Sequence, residues 1–280
     1  MVENQSDTFD VGGDLTVHRL GFGAMRLCGE GIVGEPEDPE EAREVARRAV
    51  DVGVDFVDTA DAYGPGTSER LLREALHPYP EDVVIATKGG LLRDREGDWL
   101  KLGDPDYLED ALLGSLDRLG LDAIDVYQYH RVDPETPLED SVHRLAELKD
   151  AGLIRHVGLS NVSVDQLERA REIVEIATVQ NRYNVAEREH EDVLSACEDH
   201  GIGFIPWGPL YGVDDDGVRE DLETIAEAHD ATPHQVALAW LLEYADVTLP
   251  IPGTGSLDHL EENVAASAIE LTDAEMARLS

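Results

Sequence analysis

Eight short apolar segments, each followed by an amphipathic helical stretch, limit what this chain can fold into. The segments centre on Gly21, Asp55, Val84, Ile124, His156, Thr178, Gly203 and Thr248. Between them lie explicit helix starts, in which a side-chain oxygen caps free backbone amides: Asp38-Pro39 with Glu41, Thr136-Pro137 with Glu139, Ser163 with Gln166, Thr232-Pro233 with Gln235, and Thr272 with Glu275. Three of these put proline at the first helical position, where its missing N–H costs nothing. Strands that alternate with helices pair in parallel, because a parallel pair needs a long crossover. Eight repeats within 280 residues favour one α/β domain spanning 1–280, a closed (β/α)8 barrel rather than an open sheet. Residues 8–19 alternate about Gly12-Gly13 and predict a short N-terminal hairpin ahead of the barrel.

Charge sets the solvent and the partners. The chain carries 61 Asp plus Glu against 22 Lys plus Arg, a formal net charge of -39, and its only lysines are Lys88, Lys101 and Lys149. The acidic residues are interleaved with periodic apolar ones, as on a solvated globular surface rather than in a disordered tail. Their mutual repulsion calls for screening, and the Debye length shrinks to ~3 Å at 1 M salt, so the expectation is a halophilic cytoplasm. Phosphate would be repelled, which argues against a nucleic-acid partner. No apolar run approaches the ~18 residues of a membrane span, and the polar MVENQSDTFD start is no signal peptide, so a cytoplasmic protein is expected. The two cysteines, Cys28 and Cys197, lack metal spacing, and none of the ten histidines forms HxH or HExxH, so no metal site is expected.

The chemistry concentrates at strand ends. In DFVDTADAYG, period-two alternation carries Val54, Phe56 and Asp58 to one face, and a turn through Gly64, Pro65 and Gly66 returns Tyr63 over Asp58. VVIATK delivers Lys88 in phase with Val84 and Ala86; AIDVYQYH delivers His130 in phase with Val126 and Gln128. Functional groups of a (β/α)8 barrel collect at the carboxyl ends of its strands, so these four side chains form a proton-transfer set if the ends meet. For carbonyl reduction, a tyrosine acid needs its pKa brought down towards working pH. Lys88 would do this by favouring phenolate, with Asp58 as its anchor and His130 as a donor to the carbonyl oxygen.

Over nearly its whole length the sequence resembles the aldo-keto reductases, through GFGAM near Gly21, DTADAYG, ATK at Lys88, YQYH ending at His130, GLSN at Ser160 and Asn161, VQNRYN around Gln180 and PWGPL around Trp207. The resemblance implies a TIM barrel without a Rossmann domain, and hydride transfer from a nicotinamide cofactor to an aldehyde or ketone. Tyr63 would then be the general acid of a tetrad with Asp58, Lys88 and His130. Ser160, Asn161 and Gln180 resemble carboxamide contacts, Trp207 a ring stacked on nicotinamide, and Gly208, Pro209 and Leu210 the loop over the pyrophosphate. IPGTGSLDHLEEN reads as a strand, a turn and a helix capped at Ser256, whose amides suit phosphate. There Thr254, Glu262 and Asn263 fit the family, but Gly253 replaces a usual lysine and His259 a usual arginine. NADPH remains first choice from the family; loss of both cations makes NADH its rival. Candidate substrate walls are Met25 to Cys28, the 89–103 loop with Trp99, the residues after His130, and Tyr211 onward, and with the sequence ending at Ser280, soon after LTDAEMARL, a more open pocket than in family members with a covering tail is expected. The GTSERLLREALHPYP and IPGTGSLDHLEEN stretches are similar to a branch with pyridoxal reductase-like enzymes, which makes pyridoxal a candidate aldehyde. Two rivals remain: a cofactor-binding regulatory subunit of the same fold, and a Schiff-base aldolase using Lys88. The sequence does not specify an oligomeric state.

Overall fold

In the computed structural model, which describes residues 2–94 and 96–279, the chain opens with the antiparallel pair β1 (Thr8–Val11) and β2 (Leu15–His18). Gly12 and Gly13 turn between them with φ of 63 and 82°, a region open to residues without a Cβ. Along the chain follow β3 (Phe22–Gly23), β4 (Phe56–Asp58), β5 (Val84–Gly89), the antiparallel hairpin β6 (Leu91–Arg93) and β7 (Trp99–Lys101), β8 (Ile124–Tyr129), β9 (Ile154–Ser160), β10 (Ile176–Gln180) and β11 (Gly203–Phe204). Leaving out the two hairpins, these strands form one sheet in chain order, β3-β4-β5-β8-β9-β10-β11, with every neighbouring pair parallel.

The helices are α1 (Pro39–Asp51), α2 (Thr67–Leu76), α3 (Pro105–Leu119), α4 (Leu138–Asp150), α5 (Val164–Arg171), α6 (Glu191–His200), α7 (Arg219–His229), α8 (Pro233–Tyr244), α9 (Leu257–Ala265) and α10 (Asp273–Arg278). Full capping boxes stand at Ser163, Thr232 and Thr272, and Asp38 caps α1 through the amides of Glu40 and Glu41. Thr136 instead donates to Asp133 at 3.0 Å, and Pro137 is the N-cap of α4 with no side-chain cap; proline at the first position belongs to α1, α3 and α8.

Around Thr248 the eighth segment closes the barrel without becoming a regular strand. Leu249 N–H donates to Phe204 O at 2.7 Å on one side; on the other, Gly21 and Gly23 donate to the carbonyls of Pro250 and Pro252 at 3.0 and 3.3 Å. Neither proline has an N–H to complete a ladder.

Val11, Leu15 and Val17 of the hairpin pack with Phe56, Val84, Ala86, Val126, Ala177, Ile205, Leu249 and Ile251 inside the barrel. The intervening strand positions, Val57, Ile85, Tyr127, Val157 and Val179, face the helices in a second core. Each valine, leucine, isoleucine or phenylalanine among them contributes about 1.5–3 kcal/mol on burial. Val54 belongs to the outer core, out of phase with Phe56. The regular strand starts only at Phe56, so the inward run to Asp58 is shorter than the alternation predicts.

Candidate active site

At the carboxyl ends of β4 and β5, Asp58 and Lys88 meet in a buried pair: Lys88 Nζ donates to Asp58 Oδ1 at 2.5 Å and to the Thr59 carbonyl at 2.8 Å. Its third donor points at Tyr63 Oη, 3.5 Å away. Tyr63 is therefore joined to Asp58 through the ammonium, not by a direct bond. Asp58 Oδ2 accepts from Gln128 Nε2 and Gln180 Nε2, each at 2.9 Å. The Thr59 carbonyl, Gln128 of β8 and Gln180 of β10 thus fix a charge pair that could not otherwise lie in the interior. Just past β8, the His130 ring meets the Tyr63 ring edge to face, with centroids 5.8 Å apart.

Burial governs the proton affinities. It pushes the Tyr63 phenol above its ordinary value of 10.0, and the nearby Lys88 ammonium only partly offsets this. The expected lowering towards neutral pH is thus absent: desolvation of the phenolate outweighs one cation. Burial pulls Lys88 down, but the Asp58 charge and hydrogen bonds raise it overall, so the amine stays an ammonium. That is the opposite of what a Schiff-base nucleophile needs. His130 is held well below 6.5 by burial and by the Lys88 and Arg131 charges, and is neutral. Its Nδ1 is sealed without a partner. An orphaned lone pair costs less than an orphaned N–H, which favours the tautomer with hydrogen on Nε2.

Asn161 organises the cavity wall between His130 and Trp207. It adopts φ of 58°, a left-handed conformation that asparagine tolerates better than most residues. Its N–H donates to Gln180 O at 2.9 Å, its Nδ2 to Ser160 Oγ at 2.6 Å and to the His130 carbonyl at 3.3 Å, and its Oδ1 accepts from Trp207 Nε1 at 2.9 Å. Ser160 Oγ is spent on Gln180 O at 2.9 Å. Gln180 is tied to Asp58 through its nitrogen, but its Oε1 accepts no hydrogen bond from the described residues and remains an acceptor for a carboxamide N–H.

One cavity of about 750 Å³ gathers almost the whole predicted set. Its lining includes Asp58, Tyr63 and His130; Ser160, Asn161, Gln180, Trp207, Gly208, Pro209 and Leu210; Gly253, Thr254, His259, Glu262 and Asn263; and Met25, Trp99 and Tyr211. Lys88 lies outside the lining, fully buried against Asp58. The 89–103 segment is the β6–β7 hairpin rather than an open loop, and Arg93 stacks on Trp99 with its guanidinium carbon 3.9 Å from the ring centroid.

At the far end, Ser256 caps α9 by accepting from His259 N–H at 3.5 Å. A Cβ on Gly253 would lie 2.8 Å from the Gly23 carbonyl and 3.6 Å from Arg26 Cγ. Close backbone approach therefore explains glycine where a lysine is usual, and it brings Arg26 against the same turn. The close glycine packing, the free Gln180 acceptor and the capped helix start suit a dinucleotide with its carboxamide near Gln180 and its phosphates near the 253–263 turn.

Sequence reading missed Gln128 as an anchor of Asp58, although its phase with His130 pointed inward. Arg26, Lys101 and Arg131 line the same cavity and fall within the expected wall segments, Met25 to Cys28, 89–103 and the residues after His130, although their charge was not singled out.

Fold and cavity together define a (β/α)8 barrel that gathers Asp58, Tyr63 and His130 at its carboxyl mouth, with Lys88 buried against Asp58. Residues 19–213 and 214–280 match the Aldo/keto reductase family. Pyridoxine 4-dehydrogenase of Escherichia coli is 41% identical over 280 residues, covering 98% of this chain and 97% of the relative. A thermostable aldo-keto reductase solved with the inhibitor epalrestat superposes with a TM-score of 0.86 at 32% identity, covering 98% of both chains. The aldo-keto reductase of Klebsiella pneumoniae solved with NADPH gives 0.82 at 28% identity, covering 100% of this chain and 94% of that one. The chain belongs to the aldo/keto reductase family, whose members are NAD(P)H-dependent oxidoreductases.

Proposed function

We propose that this protein reduces an aldehyde or ketone to the alcohol with NADPH, using Tyr63 as the general acid. The observation that carries the reading is the Asp58–Lys88 pair, with its remaining ammonium donor aimed at Tyr63 Oη, 3.5 Å away, beneath a cavity that His130 also lines. When bound, the dihydronicotinamide supplies the hydride that the carbonyl carbon receives. Tyr63 gives its phenolic proton to the carbonyl oxygen. The phenolate left behind is stabilised by Lys88, whose position Asp58, Gln128 and Gln180 fix. Neutral His130 donates from Nε2 to the same oxygen and orients it. Proton return to Tyr63 from solvent completes the turnover, so each carbonyl consumes one hydride and one proton.

The NADPH complex of the Klebsiella pneumoniae relative supports the choice of cofactor, and the Escherichia coli relative makes pyridoxal the first aldehyde to try. Tyr63→Phe tests the reading. It removes the transferred proton but no part of the nicotinamide contacts, so turnover should fall at least ~100-fold while NADPH still quenches tryptophan fluorescence with wild-type affinity. Near-wild-type turnover in that variant would refute the role of Tyr63.

A further inference from the structure

Arginine and lysine are scarce in this chain, 22 against 61 carboxylates, and nearly all of them are engaged. Among the described arginines and lysines only Arg26, Lys101 and Arg131 make no side-chain hydrogen bond and no ion pair, and all three line the active-site cavity. A cation surrounded by a carboxylate excess finds a partner readily, so three unpaired ones at a single cavity stand out from the rest of the surface. Of the acidic groups in that lining, Asp58 is balanced by Lys88, which leaves Glu262, an acceptor from Thr232 Oγ1 at 2.6 Å, as one carboxylate against three cations. The cavity is thus positive within a strongly negative molecule.

The three cations fall at two ends. Arg26 packs against the Gly253 turn, on the side that suits cofactor phosphates. Arg131 directly follows His130, and its guanidinium carbon is 5.5 Å from the Trp207 ring centroid, a weak contact that leaves its N–H donors free. It is half-buried and lines the cavity beside Tyr63 and His130, at the reacting end. Lys101 sits opposite Leu91 in the β6–β7 hairpin and on the same face of β7 as Trp99, and all three line the mouth.

Resting on the reductase reading above, we propose that Lys101 and Arg131 select carbonyl substrates bearing an anionic group, a carboxylate or a phosphate, remote from the carbonyl. The carbonyl end meets Tyr63 and His130, while the anion takes the donors that no protein group fills. An anion approaching this molecule against its net charge needs such a local well, and an arginine fork with a mobile ammonium suits either oxyanion.

The test compares kcat/KM within matched pairs under NADPH: 4-formylbenzoate against benzaldehyde, and glyceraldehyde 3-phosphate against glyceraldehyde. At least one anionic member should be preferred ~10- to 100-fold, the range of a charge-assisted hydrogen bond, and the pair that shows the preference identifies carboxylate or phosphate. Lys101→Met and Arg131→Met should each lower that ratio about tenfold or more, and Lys101→Arg should restore it. Lys101 is on an exposed hairpin, so its variant reports even if the Arg131 variant folds poorly. Ratios near one in both wild-type pairs would overturn the proposal. So would a Kd for NADPH, read by fluorescence, that weakens as much as the ratio falls, since the cations would then serve the cofactor. Calorimetric binding of 4-(hydroxymethyl)benzoate against benzyl alcohol reads the same preference without turnover. An enzyme silent on every aldehyde that still prefers the anionic alcohol would sink the reductase reading alone.

Discussion

Replacing Lys88 with methionine separates the structural from the chemical work of the buried pair. The substitution keeps the length and apolar stem but leaves Asp58, 2% exposed, without its cation. Breaking a buried ion pair on one side costs about 3–5 kcal/mol. Here Asp58 Oδ2 keeps its bonds from Gln128 and Gln180, so the loss should lie at the low end, about 3 kcal/mol, or roughly 6–12 °C in Tm. The stranded carboxyl can relieve its charge by taking up a proton. Its folded pKa would then exceed the unfolded value, so the variant is least impaired below the unfolded carboxylate pKa and loses ground as pH rises through the folded one. Adding Asp58→Asn removes the stranded charge and should return stability to within about 1.5 kcal/mol of wild type, because the amide oxygen still accepts from one glutamine. Neither variant should turn over substrate. Urea unfolding followed by tryptophan fluorescence at fixed salt measures all three proteins. A Lys88→Met variant within 1 kcal/mol of wild type, or a double variant no better than the single, would refute the view of Asp58 as a dehydrated charge held by Lys88.

The remaining predictions concern pH, cofactor and salt. His130 is depressed well below 6.5 and Tyr63 raised above 10.0, so kcat/KM for reduction should stay level from about pH 6 to about pH 9; an acid limb centred near 6.5 would contradict a neutral His130. The same depression gives His130 a stabilising share that is present above its unfolded pKa and lost as pH falls towards its folded one, which unfolding at pH 5 and pH 7 would show. Arg26→Gln should weaken NADPH more than NADH in fluorescence titrations, by about tenfold for one charge-assisted contact; equal effects would place Arg26 away from the 2′-phosphate. With a net charge of -39, Tm should rise between low and molar KCl as carboxylate repulsion is screened, and an unchanged Tm would remove the case for a high-salt setting.

The barrel was legible because its signals are local. Apolar runs ending in Asp58, Lys88 and His130 need only the period of a strand, and the caps at Ser163, Thr232 and Thr272 only four residues each. What stayed hidden depends on packing between distant segments. Thr136 looks like a cap by spacing, but Asp133 claims its hydroxyl. Gln128 looks like one more inward residue until Asp58, 70 positions away, accepts its N–H. Tyr63 looks tuned by Lys88 until the surrounding side chains remove the water that would solvate its phenolate.

Gly253 shows why residue-by-residue transfer of a family pattern loses information. A missing lysine reads as a missing charge when position 253 is taken alone, and together with His259 in place of the usual arginine it made NADH a rival. In three dimensions the turn lies so close to the Gly23 carbonyl that a side chain at 253 would collide with backbone, and the room it would take is bordered by Arg26 Cγ. Charge at a site is a property of the space around it, and another loop can supply it as long as the backbone leaves an opening. The same holds at the opposite end, where a hairpin lysine and the arginine after His130 come to one cavity from segments that share no motif. In so acidic a molecule, the cations left unpaired say more about what the protein binds than the many that are paired.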